Sequence, residues 1–210
     1  MKRRDLAALT AALAAAPFIA ASAAPTRLWF VFLETGKRLP PDREKVAAMQ
    51  RGHLDNFKRL FGEGKLLAAG PLRDPSGVKR GIVVVKAASR AELAGFFEPD
   101  EYVRDGYMTI NAQPAVAQRP LHSTDIDPNG IEEIRIALLA RPPRDAALRQ
   151  ARLQRLVEQG AVGARYALTE GPIAEVLFAR AENQTALEKV LADDGGLTVW
   201  QQWIGKRVLR

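Results

Sequence analysis

At 210 residues, 47% of them hydrophobic and 26% charged, the chain has enough apolar material for a packed core. Its formal net charge of +7 is dispersed among acidic residues and forms no basic run interleaved with aromatics, so nucleic acid is not an expected partner. The absence of cysteine excludes disulfides, thiolate chemistry, Cys-ligated metal and a lipid-anchored cysteine near the N-terminus.

Lys2-Arg3-Arg4 precede an apolar, alanine-rich stretch from Leu6 to Ala20, and Ala21-Ser22-Ala23 then supplies small residues for cleavage after Ala23. These parts, in this order, predict a secretory signal peptide over residues 1–23 and a periplasmic or secreted mature protein. Arg3-Arg4-Asp5-Leu6 is compatible with twin-arginine export, although Lys2 stands where that signal has Ser or Thr. The apolar stretch is short for a membrane span and no longer one follows, so no stable membrane anchor is expected.

Arg27 to Glu34 is a compact apolar run of strand length. Pro40-Pro41-Asp42 opens a helix that runs from about Asp42 to Glu63 and stops at Gly64. Lys65–Ala69 and Gly81–Lys86 read as strands joined through the turn Asp74-Pro75-Ser76-Gly77, with Gly70-Pro71 ending the first of them. Ser89-Arg90-Ala91-Glu92 forms a capping box for a short helix to about Phe97, and Tyr107–Ala112 closes the set as a fourth strand. Three prolines, two aspartates and a glycine between residues 114 and 130 predict a linker over 116–130.

The order then recurs. A strand at Ile134–Ala140, a helix at Arg144–Gln159, strands at Ala161–Leu168 and Ala174–Arg180, a helix capped by Asn183 and a strand at Leu197–Ile204 follow. Gly64 and Gly160 are 96 residues apart, and Leu93 and Leu187 are 94 apart, which suggests duplication. The expected fold class is α+β: two ferredoxin-like β-α-β-β-α-β halves, residues 24–115 and 131–210, the second degenerate. Each four-stranded sheet has a bare face. The two halves either cover each other, as in a dimeric α+β barrel made within one chain, or pair with another copy as a homo-oligomer.

Two histidines are present. His122 falls in the predicted linker. His53 lies on the stripe Val46, Met49, His53, Phe57 and Leu60 of the first helix and therefore faces inward, where an imidazole needs a hydrogen-bond partner. A backbone group would satisfy it as well as a carboxylate would. There is no glycine-rich phosphate loop, no His-Glu-x-x-His and no Gly-x-Ser-x-Gly, and two histidines without cysteine make a poor metal centre, so neither metal nor cofactor is expected.

The combination of His53-Leu54, Glu63 to Leu72 (EGKLLAAGPL), Asp74-Pro75-Ser76-Gly77, Arg80-Gly81, Ser89-Arg90-Ala91-Glu92 and Asp100 to Gly106 resembles the YCII-related (YciI-like) family over about residues 27–115. The resemblance implies a dimeric α+β barrel and a His–Asp pair at His53 and Asp100, with Gly70, Pro71 and Tyr102 around a substrate. Glu101 departs from the family pattern, which has proline there. What is implied is proton transfer on a small organic molecule, of a lyase or isomerase type. The alternative is a periplasmic ligand-binding or accessory protein with a vestigial site. In the second half the 96-residue offset sets Arg149 opposite His53 and Tyr166-Ala167 opposite Gly70-Pro71; Asp193 and Asp194 lie near the place of Asp100.

Overall fold

The computed structural model describes residues 25–121, 126–141, 146–192 and 196–209. The expected signal peptide, His122, Asp193 and Asp194 lie outside these described residues. The elements are β1 (Arg27–Thr35), α1 (Arg43–Gly62), β2 (Leu66–Arg73), β3 (Lys79–Ala87), α2 (Arg90–Gly95), α3 (Glu101–Arg104), β4 (Met108–Arg119), β5 (Asp127–Ala140), α4 (Ala146–Glu158), β6 (Ala164–Leu168), β7 (Ile173–Arg180), α5 (Gln184–Leu191) and β8 (Leu197–Lys206). The eight strands close into an antiparallel barrel in the order β1-β3-β2-β8-β5-β7-β6-β4. No helix among the described residues is long and apolar enough to cross a membrane.

β1 shows why the barrel strands read as continuous apolar runs. Residues Trp29 to Leu33 are all buried, because alternate side chains enter two different cores. Phe30 and Phe32 point into the barrel, whose interior is filled by side chains from β1 to β8, including Ile136, Tyr166, Phe178 and Ile204. Trp29, Val31 and Leu33 point outward, under the layer of α1 and α2. A third cluster lies under α4 and α5.

Local signals set the helix ends. Asp42 caps α1 by accepting from the N–H groups of Glu44 and Lys45, and Gly64, at φ +68°, takes the left-handed turn that ends it. Ser89 caps α2 by accepting from Glu92 N–H, while Glu92 reaches back to the N–H of Ala88. Asn183 makes no side-chain cap; a 3₁₀ turn, Ala181–Asn183, leads into α5 instead.

Two stretches differ from expectation. The segment 116–130, expected to be a linker, is strand at both ends: β4 continues to Arg119 by pairing with β6, and β5 begins at Asp127 by pairing with β8. Pro114 does not stop β4. Its carbonyl accepts from Thr169 N–H, so the donor it lacks would also point to the β6 side, where that ladder is only starting. Nor does β2 end at Gly70-Pro71; it runs on to pair Leu72 and Arg73 with Gln202 and Gln201 of β8.

That seam dictates the residue at position 70. A Cβ there would overlap the carbonyl oxygen of Trp203 in β8, a backbone atom that cannot swing aside. Gly70→Ala is expected to destabilise the protein by about 3 kcal/mol or more, the upper end for overpacking, measured as a lowered urea midpoint. An unchanged midpoint would mean that β2 and β8 are less close than the barrel requires.

Tyr166, at the barrel centre, has its hydroxyl accepting from Leu121 N–H at 2.9 Å and is fully buried beside Phe30 and Phe178. Burial pushes its pKa up to about 12, with the Leu121 hydrogen bond acting in the opposite sense. An unfolded tyrosine titrates near about 10. The folded chain therefore keeps a proton that the unfolded chain loses, and this contribution to stability is full below about pH 10 and disappears as pH rises toward about 12. Urea midpoints between about pH 9 and pH 12 are expected to fall more steeply for wild type than for Tyr166→Phe. Equal slopes would remove Tyr166 as the cause.

Candidate active site

His53 sits near the middle of α1 on its inward stripe, 8% exposed, together with Met49 and Leu60. Val46 and Phe57 on that stripe are only half-buried, whereas Asn56, which the stripe omits, is buried and donates to the carbonyl of Phe96. The His53 ring packs against Phe57, with centroids 4.4 Å apart, and meets Tyr102 edge-on at 5.5 Å.

Asp100 approaches from the loop between α2 and α3 and is completely buried. Its Oδ1 accepts from the backbone N–H of Tyr102 at 3.0 Å, which makes it the N-cap of α3. Its Oδ2 lies 2.6 Å from His53 Nδ1. One carboxylate thus starts a helix with one oxygen and holds an imidazole with the other. Glu101, which replaces the proline of the family pattern, occupies the first position of α3. That position suits either residue, because a helix does not use the N–H there. The exchange leaves the cap, and with it the aim of Asp100, intact.

With Asp100 ionised, its carboxylate can only accept, so Nδ1 donates to it, and in a neutral ring Nε2 then has a free lone pair. No described residue bonds to Nε2, and Nε2 is not among the buried polar atoms that lack a partner; it therefore reaches solvent. The ring is held on one side and open on the other, the arrangement a general base or acid requires.

Tyr102 is the third residue brought to this place. It is 4% exposed, and its hydroxyl reaches the carbonyl of Val46 at a long 3.5 Å. Burial raises its pKa, the negative charge of Asp100 adds to the rise, and the positive charge of Arg80 opposes it. Tyr102 also lines a cleft of about 240 Å³ whose wall includes Lys37, Arg38, Gln50, Arg80 and Tyr107. A depression of about 180 Å³ on the other half, lined by Arg152, Arg155, Leu156, Gln159 and Val190, holds no histidine or carboxylate.

Gly70 and Pro71 are placed differently. Gly70 lies under Trp203 of β8, and Pro71 is exposed and paired with Gly81 of β3; neither lines the cleft beside Tyr102. Closure of the barrel accounts for Gly70 without a substrate. The cations of the cleft were not legible as a group in the sequence; only Arg80 falls within a family-like pattern, and Lys37 and Arg38 come from the loop after β1.

Arg149 of α4, opposite His53 in the offset, is buried and donates to the carbonyl of Ala140. Its chain neighbour Gln150 bonds to both partners of a buried ion pair, in which Arg165 makes two 3.0 Å bonds to Glu175. Among the described residues no cluster of three His, Asp or Glu side chains could hold a metal ion.

No curated protein matches the chain in sequence. Among solved structures it is similar to a protein of Fusobacterium nucleatum subsp. nucleatum described provisionally as a monooxygenase, with a TM-score of 0.52 at 8% identity over 88% of this chain and 96% of that one. A protein from Lactobacillus acidophilus given the same provisional description matches with a TM-score of 0.51 at 8% identity, over 85% and 93%. A chlorite dismutase variant from Candidatus Nitrospira defluvii, in complex with cyanide, matches with a TM-score of 0.52 at 14% identity, over 84% and 90%. At such identities the likeness is one of fold: an α+β protein built on an eight-stranded antiparallel barrel. The segment carrying His53 and Asp100 is more specific, for residues 28–112 match the model of the YCII-related domain.

Proposed function

We propose that the protein is an exported enzyme that moves a proton on a small organic molecule, with His53 as the general base or acid and Asp100 as the residue that orients it. The observation that carries this reading is the 2.6 Å contact between His53 Nδ1 and a fully buried carboxylate, with Nε2 left open to solvent. A carboxylate on Nδ1 fixes the tautomer and raises the basicity of Nε2, which suits elimination or isomerisation, reactions that begin by removing a proton from carbon or oxygen. Tyr102, edge-on to the ring and lining the cleft, supports a substrate-contacting role for that side chain. The signal-like residues 1–23 support delivery to the periplasm or beyond.

We also infer that the chain arose by duplication of a ferredoxin-like half. The strand order β4-β1-β3-β2 is followed around the barrel by β8-β5-β7-β6, the same pattern four elements on. In this reading the second half closes the barrel and carries Arg149 where the first carries His53. That exchange is also what favours the second reading, a ligand-binding or accessory protein in which the first site too has ceased to turn over.

A substrate screen on wild type beside His53→Ala and Asp100→Asn separates the two. Turnover by wild type that both variants lose supports the enzyme. A compound that binds all three proteins alike and is never converted supports the binding protein.

A further inference from the structure

The cleft beside Tyr102 gathers three cations from distant parts of the chain. Lys37 and Arg38 come from the loop after β1, and Arg80 comes from β3. None of the three forms an ion pair among the described residues, and all are exposed. Other cations of the same half are neutralised nearby: Lys79 by Glu34, Lys65 and Arg59 by Glu63, and Arg104 by Glu101 and Asp105. The rest of the lining is largely organic in character. Tyr107, over whose ring the Lys37 ammonium sits at 4.3 Å, is joined there by Leu39 and Met108.

The cleft is linked to the imidazole through Tyr102, although His53 does not itself line it. Gln50 precedes His53 by one turn of α1, and Tyr102 belongs to both places, edge-on to the ring and in the cleft wall. At about 240 Å³ it lies just below the usual range of ligand pockets, about 300–1,000 Å³, so its occupant is small.

We infer that this cleft binds a small organic carboxylate, held by Arg80, Lys37 and Arg38, with its hydrocarbon body against Tyr107 and Met108. The inference rests on the proton-transfer reading for its purpose, since an anchored carboxylate would hold the rest of the molecule beside Nε2. Arg80 offers the planar fork that matches a carboxylate, and Lys37 adds a point charge. The effect of Arg80 on Tyr102 supports their proximity, because its positive charge acts against the rise in the tyrosine pKa.

The test is an NMR titration of the full exported chain with benzoate and succinate, beside their neutral counterparts benzamide and succinamide, and with inorganic phosphate. At least one carboxylate is expected to shift the Tyr102 and Tyr107 resonances. Its amide is expected to bind about tenfold more weakly or worse, and Lys37→Gln combined with Arg80→Gln to weaken the carboxylate by about tenfold or more. His53→Ala is expected to retain binding. The inference is overturned if neither carboxylate binds, if the amides bind as tightly as the acids, if the double variant is unaffected, or if phosphate alone binds. Its failure is separable from that of the catalytic reading. Carboxylate binding together with turnover indifferent to His53→Ala ends the catalytic reading only, whereas His53-dependent turnover without carboxylate binding ends this one only.

Discussion

His53→Ala is expected to lower kcat/KM for any substrate that the wild-type chain converts by about 10²–10⁴-fold, the range a positioned acid or base contributes. The ring has no substitute among the described residues, since no other histidine is present there. Asp100→Asn is expected to lose a large part of the same factor for a different reason. An asparagine amide can donate as well as accept, so Nδ1 can become the acceptor and Nε2 the donor, and the nitrogen facing solvent then presents a proton where a lone pair was needed. Two measurements check this together: steady-state kinetics of both variants, and the nitrogen–proton correlation spectrum of the His53 ring. Wild type should show the proton on Nδ1, and Asp100→Asn should move it at least in part to Nε2. If both variants turn substrate over as fast as wild type, proton transfer through this pair is excluded. If the tautomer moves while the rate does not, Asp100 serves the fold alone.

The sequence made the elements of the barrel legible wherever a local rule governs them. Asp42 before an apolar stripe, Gly64 at its end and Ser89 before Glu92 are chemical signals spanning a few residues, and each appears in the structure with a cap or turn at that place. What escaped was set by partners far away. Gly70-Pro71 has the chemistry of a turn, yet β2 passes through it because β8, some 130 positions later in the chain, needs a close neighbour. Pro114 and Pro120 argue for loop, yet β4 extends between them because β6 offers it a second ladder. Edge-to-edge closure is a long-range fact, and the expected picture of two sheets covering each other left the strand joints that close the barrel unspecified.

The site divides in the same way. The inward face of His53 followed from helical spacing, because residues three and four apart share a side of a helix. Its partner did not. Asp100 lies 47 positions away and came only from the family resemblance, and its capping role was hidden because α3 is just Glu101–Arg104, too short to show a period. The half-buried Phe57 and buried Asn56 mark where the stripe departs from the helix's real inward face. The cleft cations had no local signature at all, since an exposed lysine or arginine reads the same whether it waits for an anion or merely meets water.

The His53–Asp100 contact should also be visible in stability, and the sign of its coupling tests whether the pair is preorganised. Asp100→Ala removes the cap of α3, which costs about 0.5–2 kcal/mol, and leaves the Nδ1–H of a largely buried ring unpaired, which costs about 1–3 kcal/mol more. His53→Ala leaves a fully buried carboxylate with one backbone donor, and orphaning a buried hydrogen-bonding group costs about 1–3 kcal/mol, more where it is charged. The double variant removes both orphans at once. Its loss is therefore expected to fall short of the sum of the single losses by about 1–3 kcal/mol, a coupling typical of residues in direct contact. Urea unfolding of the four proteins of the cycle, at a pH near neutrality, measures this. Strict additivity would mean that the two side chains do not depend on each other in solution, and an imidazole not held by its carboxylate has no fixed tautomer to offer a substrate.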